Sequence, residues 1–307
     1  MNYKVTVGLC IKNAEGTIKE TLASIFAQDF PHSQMELLTV IGQSRDKTLT
    51  STEKTLKEAD FVQRTFVENE GLGKARDIVV SFAKGDYIVW VDGDMTLSTD
   101  YVRKNMEFME HNPLCGIVRG KYGYTSDQTL VSMLENVVYV SDSEFGVKSA
   151  SKVGYLPPTG GSIYRIAAIK AVGGFDTSIK GAGEDIEAAF RIKKAGWSIC
   201  VTDTKFYPRF RSTWKALWDQ YFWYGYGAHF LLHKNSAIIE LYKMVPLAGT
   251  LAGVLRAVQY YKLAHKKAFF VLLPIHYTFK RIAWSIGYFK SHLSGYGHKS
   301  RSVPAKA

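Results

Sequence analysis

The sequence predicts an α/β fold, a mixed, mainly parallel sheet flanked by helices, followed by a C-terminal helical region of different character. Three observations predict it. Apolar runs of strand length alternate with amphipathic helical repeats, joined by short links, through about residue 208. Several of those runs end in polar, glycine-bearing turns, as expected where ligands bind beyond the carboxyl ends of parallel strands. The charge is also divided: residues 203–307 carry 16 Lys/Arg against 3 Asp/Glu, whereas residues 1–202 carry 23 against 25. A near-neutral globular domain over 1–208 and a strongly basic, aromatic-rich region over 209–307 follow from this change. With 46% apolar and 22% charged residues the chain has the composition of a folded protein.

Residues 4–11 form the first apolar strand pattern. Ile18, Leu22, Ile25 and Phe26 then recur on one helical face, and Pro31 closes the unit. A second strand is expected over 37–42, followed by the loop Gly42-Gln43-Ser44-Arg45-Asp46 and a polar helix through about residue 59. A third strand covers 61–67, a helix 73–83, and a fourth strand 86–91, which runs into Asp92-Gly93-Asp94. Between 95 and 156 the pattern supports only a helix near 102–110 and a strand near 115–120. A short strand and helix follow over 162–172, then a helix over 185–194 and a strand over 198–203.

Beyond Pro208 the character changes. Trp214, Leu217, Trp218, Tyr221 and Phe222 lie at helical spacing, and two apolar stretches follow over 244–261 and 268–289. Arg256 interrupts the first and Lys280-Arg281 the second. A clean membrane span needs about 20 apolar residues, so basic residues among Trp, Tyr and Leu favour helices lying in a bilayer interface. True spans and a soluble helical subdomain are the alternatives. The same interleaving argues against nucleic acid as a partner. Residues 294–307 read as a frayed polar tail. The first residues show no basic-then-apolar leader, so the expectation is a catalytic face in the cytosol. The 3 cysteines, Cys10, Cys115 and Cys200, are too scattered for a disulfide framework or a zinc site.

Two carboxylate signatures carry the chemistry. Asp92-Gly93-Asp94 stands at a strand end, where hard oxygen ligands suit Mg²⁺ or Mn²⁺ bridging to phosphate, although the same residues also make an ordinary polar turn. Glu184-Asp185, after the Gly181-Ala182-Gly183 turn, opens a helix. Acids there stabilise the helix dipole, and an ionised carboxylate in that place is also suited to take a proton from a sugar hydroxyl. Gly71-Leu72-Gly73-Lys74-Ala75-Arg76 is a candidate phosphate cradle at a helix N-terminus. It is not a P-loop, because Ala75 stands where Ser or Thr is needed.

In this order the motifs resemble the family 2 glycosyltransferases, the inverting GT-A group that includes dolichyl-phosphate sugar synthases and cellulose synthase-like enzymes. The resemblance rests on residues 5–15 with Asn13-Ala14-Glu15, on 71–76 with Gly85-Asp86-Tyr87-Ile88 and Asp92-Gly93-Asp94, and on Thr159-Gly160-Gly161, Arg165, Val172-Gly173-Gly174-Phe175-Asp176 and Glu184-Asp185. It implies a GT-A fold and transfer of a hexose, mannose or glucose, from a UDP- or GDP-sugar to a hydroxyl acceptor, and the basic aromatic tail favours a lipid-linked over a glycan acceptor, at the cytoplasmic membrane face. It further implies nucleotide-sugar binding by Ile11, Asn13, Glu15, Gln43, Arg76 and Asp92. Asp94 and Asp92 would hold Mg²⁺ or Mn²⁺, and Asp185 would be the base. Gly160, Gly161, Glu184, Gln220 and Trp223 would lie on the acceptor side.

The chain departs from the family pattern at four places. Cys10 and Lys12 replace a proline and an aromatic residue in the first loop. The second loop, Val40-Ile41-Gly42-Gln43-Ser44, lacks the usual base-reading Asp. Gln220-Tyr221-Phe222-Trp223 is a degenerate form of the motif carried by processive synthases. Pro208 replaces a histidine, leaving Arg209 and Arg211 as candidates for contact with the diphosphate. The alternative readings are a nucleotidyltransferase of similar fold and a catalytically inactive membrane-bound scaffold.

Overall fold

The computed structural model describes residues 4–125, 129–150, 155–179, 181–239, 241, 245–264 and 267–296. In chain order the elements are β1 (Val5–Ile11), α1 (Ile18–Phe26), β2 (Met35–Gly42), α2 (Thr48–Leu56), β3 (Val62–Glu68), α3 (Leu72–Phe82), β4 (Tyr87–Asp92), β5 (Met95–Leu97), α4 (Tyr101–His111), β6 (Cys115–Tyr122), α5 (Leu130–Ala150), β7 (Ser162–Arg165), α6 (Ile166–Ala171), α7 (Glu184–Lys194), β8 (Ser198–Pro208), α8 (Trp214–Lys234), α9 (Pro246–Ala264) and α10 (Phe269–Leu293). The chain divides into two compact units, one of residues 1–126, 136–180 and 184–209, the other of residues 127–135, 181–183 and 210–307.

The first unit is built on one sheet of order β3-β2-β1-β4-β7-β6-β8-β5. Its β3-β2-β1-β4 half is parallel throughout, and β6 pairs parallel with β8. Antiparallel β7 joins the two parts, and β5 pairs antiparallel with β8. Both faces of the central strands are covered, so β1, β2 and β4 are buried at nearly every position. Val7, Leu37, Val89 and Val91 point into a core shared with α1 and α4, while Leu38, Val40, Ile88 and Trp90 point into one shared with α3, α6 and α7.

Two elements lie where the sequence pattern supported none. β5 is a three-residue strand, too short to show a period. α5 contains Val137-Val138-Tyr139-Val140, a β-branched run that contradicts helical propensity locally. β8 continues to Pro208, past the expected end at 203, because its second half pairs with β5 through Leu97 and Phe206.

The second unit is helical. Val131, Leu217, Tyr221 and Ala283 form one of its buried apolar clusters, with Trp214, Trp218 and Phe279 packed against them. No helix among the described residues is long and apolar enough to cross a membrane. Large apolar side chains nevertheless face outward at helical spacing, Leu247, Leu251 and Leu255 on α9 and Val271, Ile275, Ile282, Ile286, Phe289 and Leu293 on α10. Within the expected tail, Ser294 and Gly295 are exposed, whereas Tyr296 is half-buried with its ring stacked on Tyr226 at 5.1 Å. The rest of the expected tail, 297–307, lies outside the described residues.

Candidate active site

Parallel pairing of β1 with β4 puts Cys10 beside Asp92, so the loop after β1 borders the Asp92-Gly93-Asp94 turn. The Gly93 carbonyl accepts hydrogen bonds from Thr17 Oγ1 at 2.6 Å and Thr21 Oγ1 at 3.2 Å, which anchors the turn to α1. From the other side the Arg209 N–H donates to the Asp94 carbonyl at 2.7 Å. Ile11 is buried beneath the turn. Asn13 adopts a left-handed conformation, φ 52°, which asparagine tolerates better than most residues. Its side-chain oxygen accepts from Arg45 N at 2.8 Å, and Glu15 Oε2 accepts from Lys47 N at 3.1 Å. Asn13 and Glu15 therefore tie the loop after β1 to the loop after β2, which carries exposed Gln43.

Arg76 joins the two carboxylate signatures. It lies in the second turn of α3, buried, with Nη2 3.8 Å from Asp92 Oδ1 and Nη1 3.6 Å from Asp185 Oδ2. The same Nη1 donates to Glu184 Oε1. Burial works against its charge, but Glu184, Asp185 and Asp92 outweigh it and raise the guanidinium pKa above the usual value. Glu184, expected on the acceptor side, has its carboxylate buried against Arg76. Asp185 keeps 15% of its side-chain surface open, with Oδ2 accepting from Thr159 N at 3.3 Å and Oδ1 from Ile186 N at 2.8 Å. Asp92 keeps 44% of its side-chain surface open. Burial pushes its pKa up, Arg76 pulls it down, and nearby Asp94 and Asp185 push again, for a result of about 6.

The turn before β7 completes the arrangement. Ser162 N donates to Thr159 O at 2.7 Å, and Gly161, at φ 70°, donates its N–H to Trp90 O at 3.2 Å. A side chain on Gly160 would run into Asp92 Oδ2, so only glycine permits the carboxylate to rest on this turn. Buried Arg119 donates to the Gly160 carbonyl from Nε at 3.1 Å and Nη2 at 2.9 Å. Its guanidinium lies over the Tyr122 and Phe206 rings, 4.6 Å from each centroid. The Tyr101 hydroxyl donates to Gly161 O and accepts from Gly120 N at 2.9 Å. Sequence reasoning missed Arg119 and Tyr101; the available signal was an arginine inside the otherwise apolar start of β6.

Just before α3, the Glu68 carboxylate accepts from the Glu70 N–H and, at 3.2 Å, from the Gly71 N–H. Cys10 is held as a thiol, because burial pushes its pKa to about 12. Arg209 is exposed and pairs with Glu20 at 3.1 Å, next to the Asp94 turn. Arg211, Gln220 and Trp223 belong to the second unit. There Gln220 Nε2 donates to Tyr224 Oη at 2.9 Å, and Trp223 stacks on Tyr226 at 5.7 Å.

Comparison with known proteins agrees with these motifs. Residues 6–170 match the family model of Glycosyl transferase family 2. Curated relatives include the poly-beta-1,6-N-acetyl-D-glucosamine synthase of Staphylococcus aureus, 23% identical over 246 residues, covering 79% of this chain and 59% of that protein. The probable glycosyltransferase YdaM of Bacillus subtilis is 24% identical over 290 residues, covering 90% of this chain and 62% of that protein. The chain thus spans about three fifths of the length of these curated relatives. Among solved structures, the mannosyltransferase PcManGT of Pyrobaculum calidifontis, in complex with GDP-Man and Mn²⁺, superposes with TM-score 0.64 at 17% identity, covering 94% of this chain and 88% of that one. S. aureus TarS 1-349 in complex with UDP-GlcNAc gives 0.50 at 18% identity, over 95% and 92% of the two chains. With more than half of its length matched, the chain belongs to glycosyl transferase family 2.

Proposed function

We propose that this glycosyltransferase moves a hexose, mannose or glucose, from a nucleoside-diphosphate sugar to a hydroxyl acceptor with inversion at the anomeric carbon. The observation that carries the reading is Arg76, which lies within ion-pair distance of Asp92, Glu184 and Asp185 and so gathers a donor-side carboxylate and a base at one place. Asp185 is open to an acceptor and oriented by Thr159 N and its own helix N-terminus. It accepts the hydroxyl proton as that oxygen attacks the anomeric carbon, and the nucleoside diphosphate departs from the opposite face. Buried Glu184 keeps the Arg76 guanidinium in place beneath both carboxylates. Arg119 fixes the Gly160-Gly161 turn, whose backbone borders the reacting groups.

Asp92 and Asp94 suit a divalent cation. They are hard oxygen donors at a strand end, and burial with neighbouring carboxylates raises the Asp92 pKa, an excess of negative charge that a cation relieves. Mg²⁺ or Mn²⁺ held there supplies Lewis-acid neutralisation of the leaving diphosphate. The GDP-Man and Mn²⁺ complex of the Pyrobaculum mannosyltransferase supports the metal by fold, and the UDP-GlcNAc complex of TarS supports a nucleotide-sugar donor. Ile11, Asn13, Glu15 and Gln43 line the nucleotide side, and Arg209 meets the diphosphate. The acceptor is lipid-linked, and the second unit lies in the cytoplasmic membrane interface. The basic composition of 203–307 and the outward apolar side chains of α9 and α10 support that reading.

The test is a panel of UDP- and GDP-sugars with Mn²⁺ or Mg²⁺ and native membrane lipid. The expected result is metal-dependent release of one nucleoside diphosphate, with labelled sugar entering the lipid fraction. Label appearing only in water-soluble glycan overturns the lipid acceptor, and silence with every donor from folded protein overturns hexosyl transfer.

A further inference from the structure

Glycosyl transfer leaves one cluster of the second unit unused. His229 and His233 stand one turn apart on α8, so their rings leave the same helix face, and His292 comes from the last turn of α10. His229 Nε2 lies 3.1 Å from His233 Nε2 and 3.2 Å from His292 Nδ1, and one nitrogen of each ring lies within 4.8 Å of the others. A tetrahedral zinc ion with Zn–N bonds of about 2.0–2.1 Å sets its nitrogens about 3.3–3.4 Å apart. Two of the three pairs are already close to that spacing. Neutral imidazole has a single acceptor lone pair, so His229 Nε2 cannot form two good hydrogen bonds to its neighbours. A cation between the rings takes one lone pair from each.

The surroundings prepare the rings for this role. His229 Nδ1 faces the Tyr296 carbonyl at 2.7 Å, which places the ring proton on Nδ1 and turns the Nε2 lone pair to the cluster. Tyr296 is itself held, since its hydroxyl accepts from Gly181 N at 2.9 Å and its ring stacks on Tyr226. The helices that carry the ligands cross in backbone contact: a side chain on Gly225 would meet the Trp284 carbonyl, and one on Gly287 the Phe222 carbonyl. His229 is buried, His233 half-buried and His292 exposed, so the cluster opens on one side to water.

We propose that His229, His233 and His292 bind a zinc-class divalent ion, with water as the fourth ligand, stapling the end of α10 to α8. Imidazole donors select Zn²⁺, Ni²⁺ or Cu²⁺ over Mg²⁺ and Mn²⁺, the reverse of the preference of the Asp92 and Asp94 oxygens. The site therefore stands independently of the glycosyl-transfer reading.

The experiment uses the full chain, free of affinity tag and stripped with chelator, titrated with Zn²⁺ against a chromophoric competitor. Co²⁺ absorption reports the coordination geometry. The expected result is saturable binding of one Zn²⁺ in the presence of millimolar Mg²⁺, a higher melting temperature, and intense tetrahedral Co²⁺ bands. His292→Ala, at an exposed position, and His233→Ala each weaken binding by more than about tenfold while far-UV dichroism is unchanged. An Asp92→Asn/Asp94→Asn variant retains the zinc site. Absence of saturable binding, or equal binding by the histidine variants, overturns the proposal and leaves a hydrogen-bonded trio. Loss of the zinc stoichiometry in the aspartate variant overturns it as well, by assigning the ion to the carboxylates.

Discussion

Asp185 and Glu184 are neighbours in sequence with different surroundings: Glu184 is buried against Arg76, and Asp185 is partly open. This separation predicts different variants. Asp185→Asn keeps the shape and removes the base, so kcat is expected to fall by about 10²–10⁴-fold while donor affinity, measured by titration with the nucleotide sugar, stays near wild type. Unchanged turnover would remove Asp185 from the mechanism. Arg76→Ala leaves three carboxylates without their shared cation and is expected to cost about 3–5 kcal/mol of stability in denaturant unfolding. Gly160→Ala sets a methyl group on Asp92 Oδ2, and a displacement of that carboxylate is expected to lower kcat/KM by up to about 10²-fold in a protein that still folds. Asp92, Asp94 and Asp185 were legible as candidates because acids at a strand end and at a helix start are local signals, and Arg76 because it closes the glycine-bearing 71–76 motif. The bond from Arg76 to Glu184 was not, since it joins side chains 108 residues apart.

At the level of elements, the helical unit is held by a buried polar contact that no periodicity shows. Glu135, from the start of α5, has Oε1 2.7 Å from Lys280 Nζ and 3.0 Å from His276 Nε2, and Oε2 3.3 Å from the Tyr221 hydroxyl. Burial pushes the Glu135 pKa up, but Lys280 and His276 pull it further down, from 4.5 to about 2. A carboxylate whose pKa is depressed on folding stabilises the fold above its unfolded value, and that contribution is lost as the pH falls from 4.5 toward 2. Burial also lowers the His276 pKa below 6.5, so protonating it adds to the acid loss. Glu135→Gln is therefore expected to make stability fall less steeply between pH 4.5 and 2, as followed by urea unfolding at a series of pH values. An equal slope in both proteins would show that Glu135 does not control it. Sequence reasoning took Lys280 as an interruption of an apolar helix; the fold uses it as the counter-ion of a residue from α5.

For the whole molecule, the outward apolar side chains of α9 and α10 and the basic composition of 203–307 predict binding to anionic membranes. The full chain is expected to float with anionic liposomes and to do so less in high salt. Leu251→Asp/Leu255→Asp should shift it to the soluble fraction without loss of helicity, and wild-type protein that never floats would refute the interfacial reading. By itself the sequence determined the strand–helix alternation of the catalytic part, the acidic turns at its strand and helix ends, and the change of charge near residue 208. Each of these is written in a period, a turn or a composition confined to a few neighbouring residues. Only the tertiary structure decided that antiparallel β7 joins the parallel halves of the sheet, that Arg119 fixes the Gly160 turn, that Arg76 gathers three carboxylates, and that His292 meets His229 and His233. Those contacts join residues far apart in the chain. They form because burying the faces of sheet and helices brings their side chains together, and a buried charge or imidazole must then find its partner where packing has placed one.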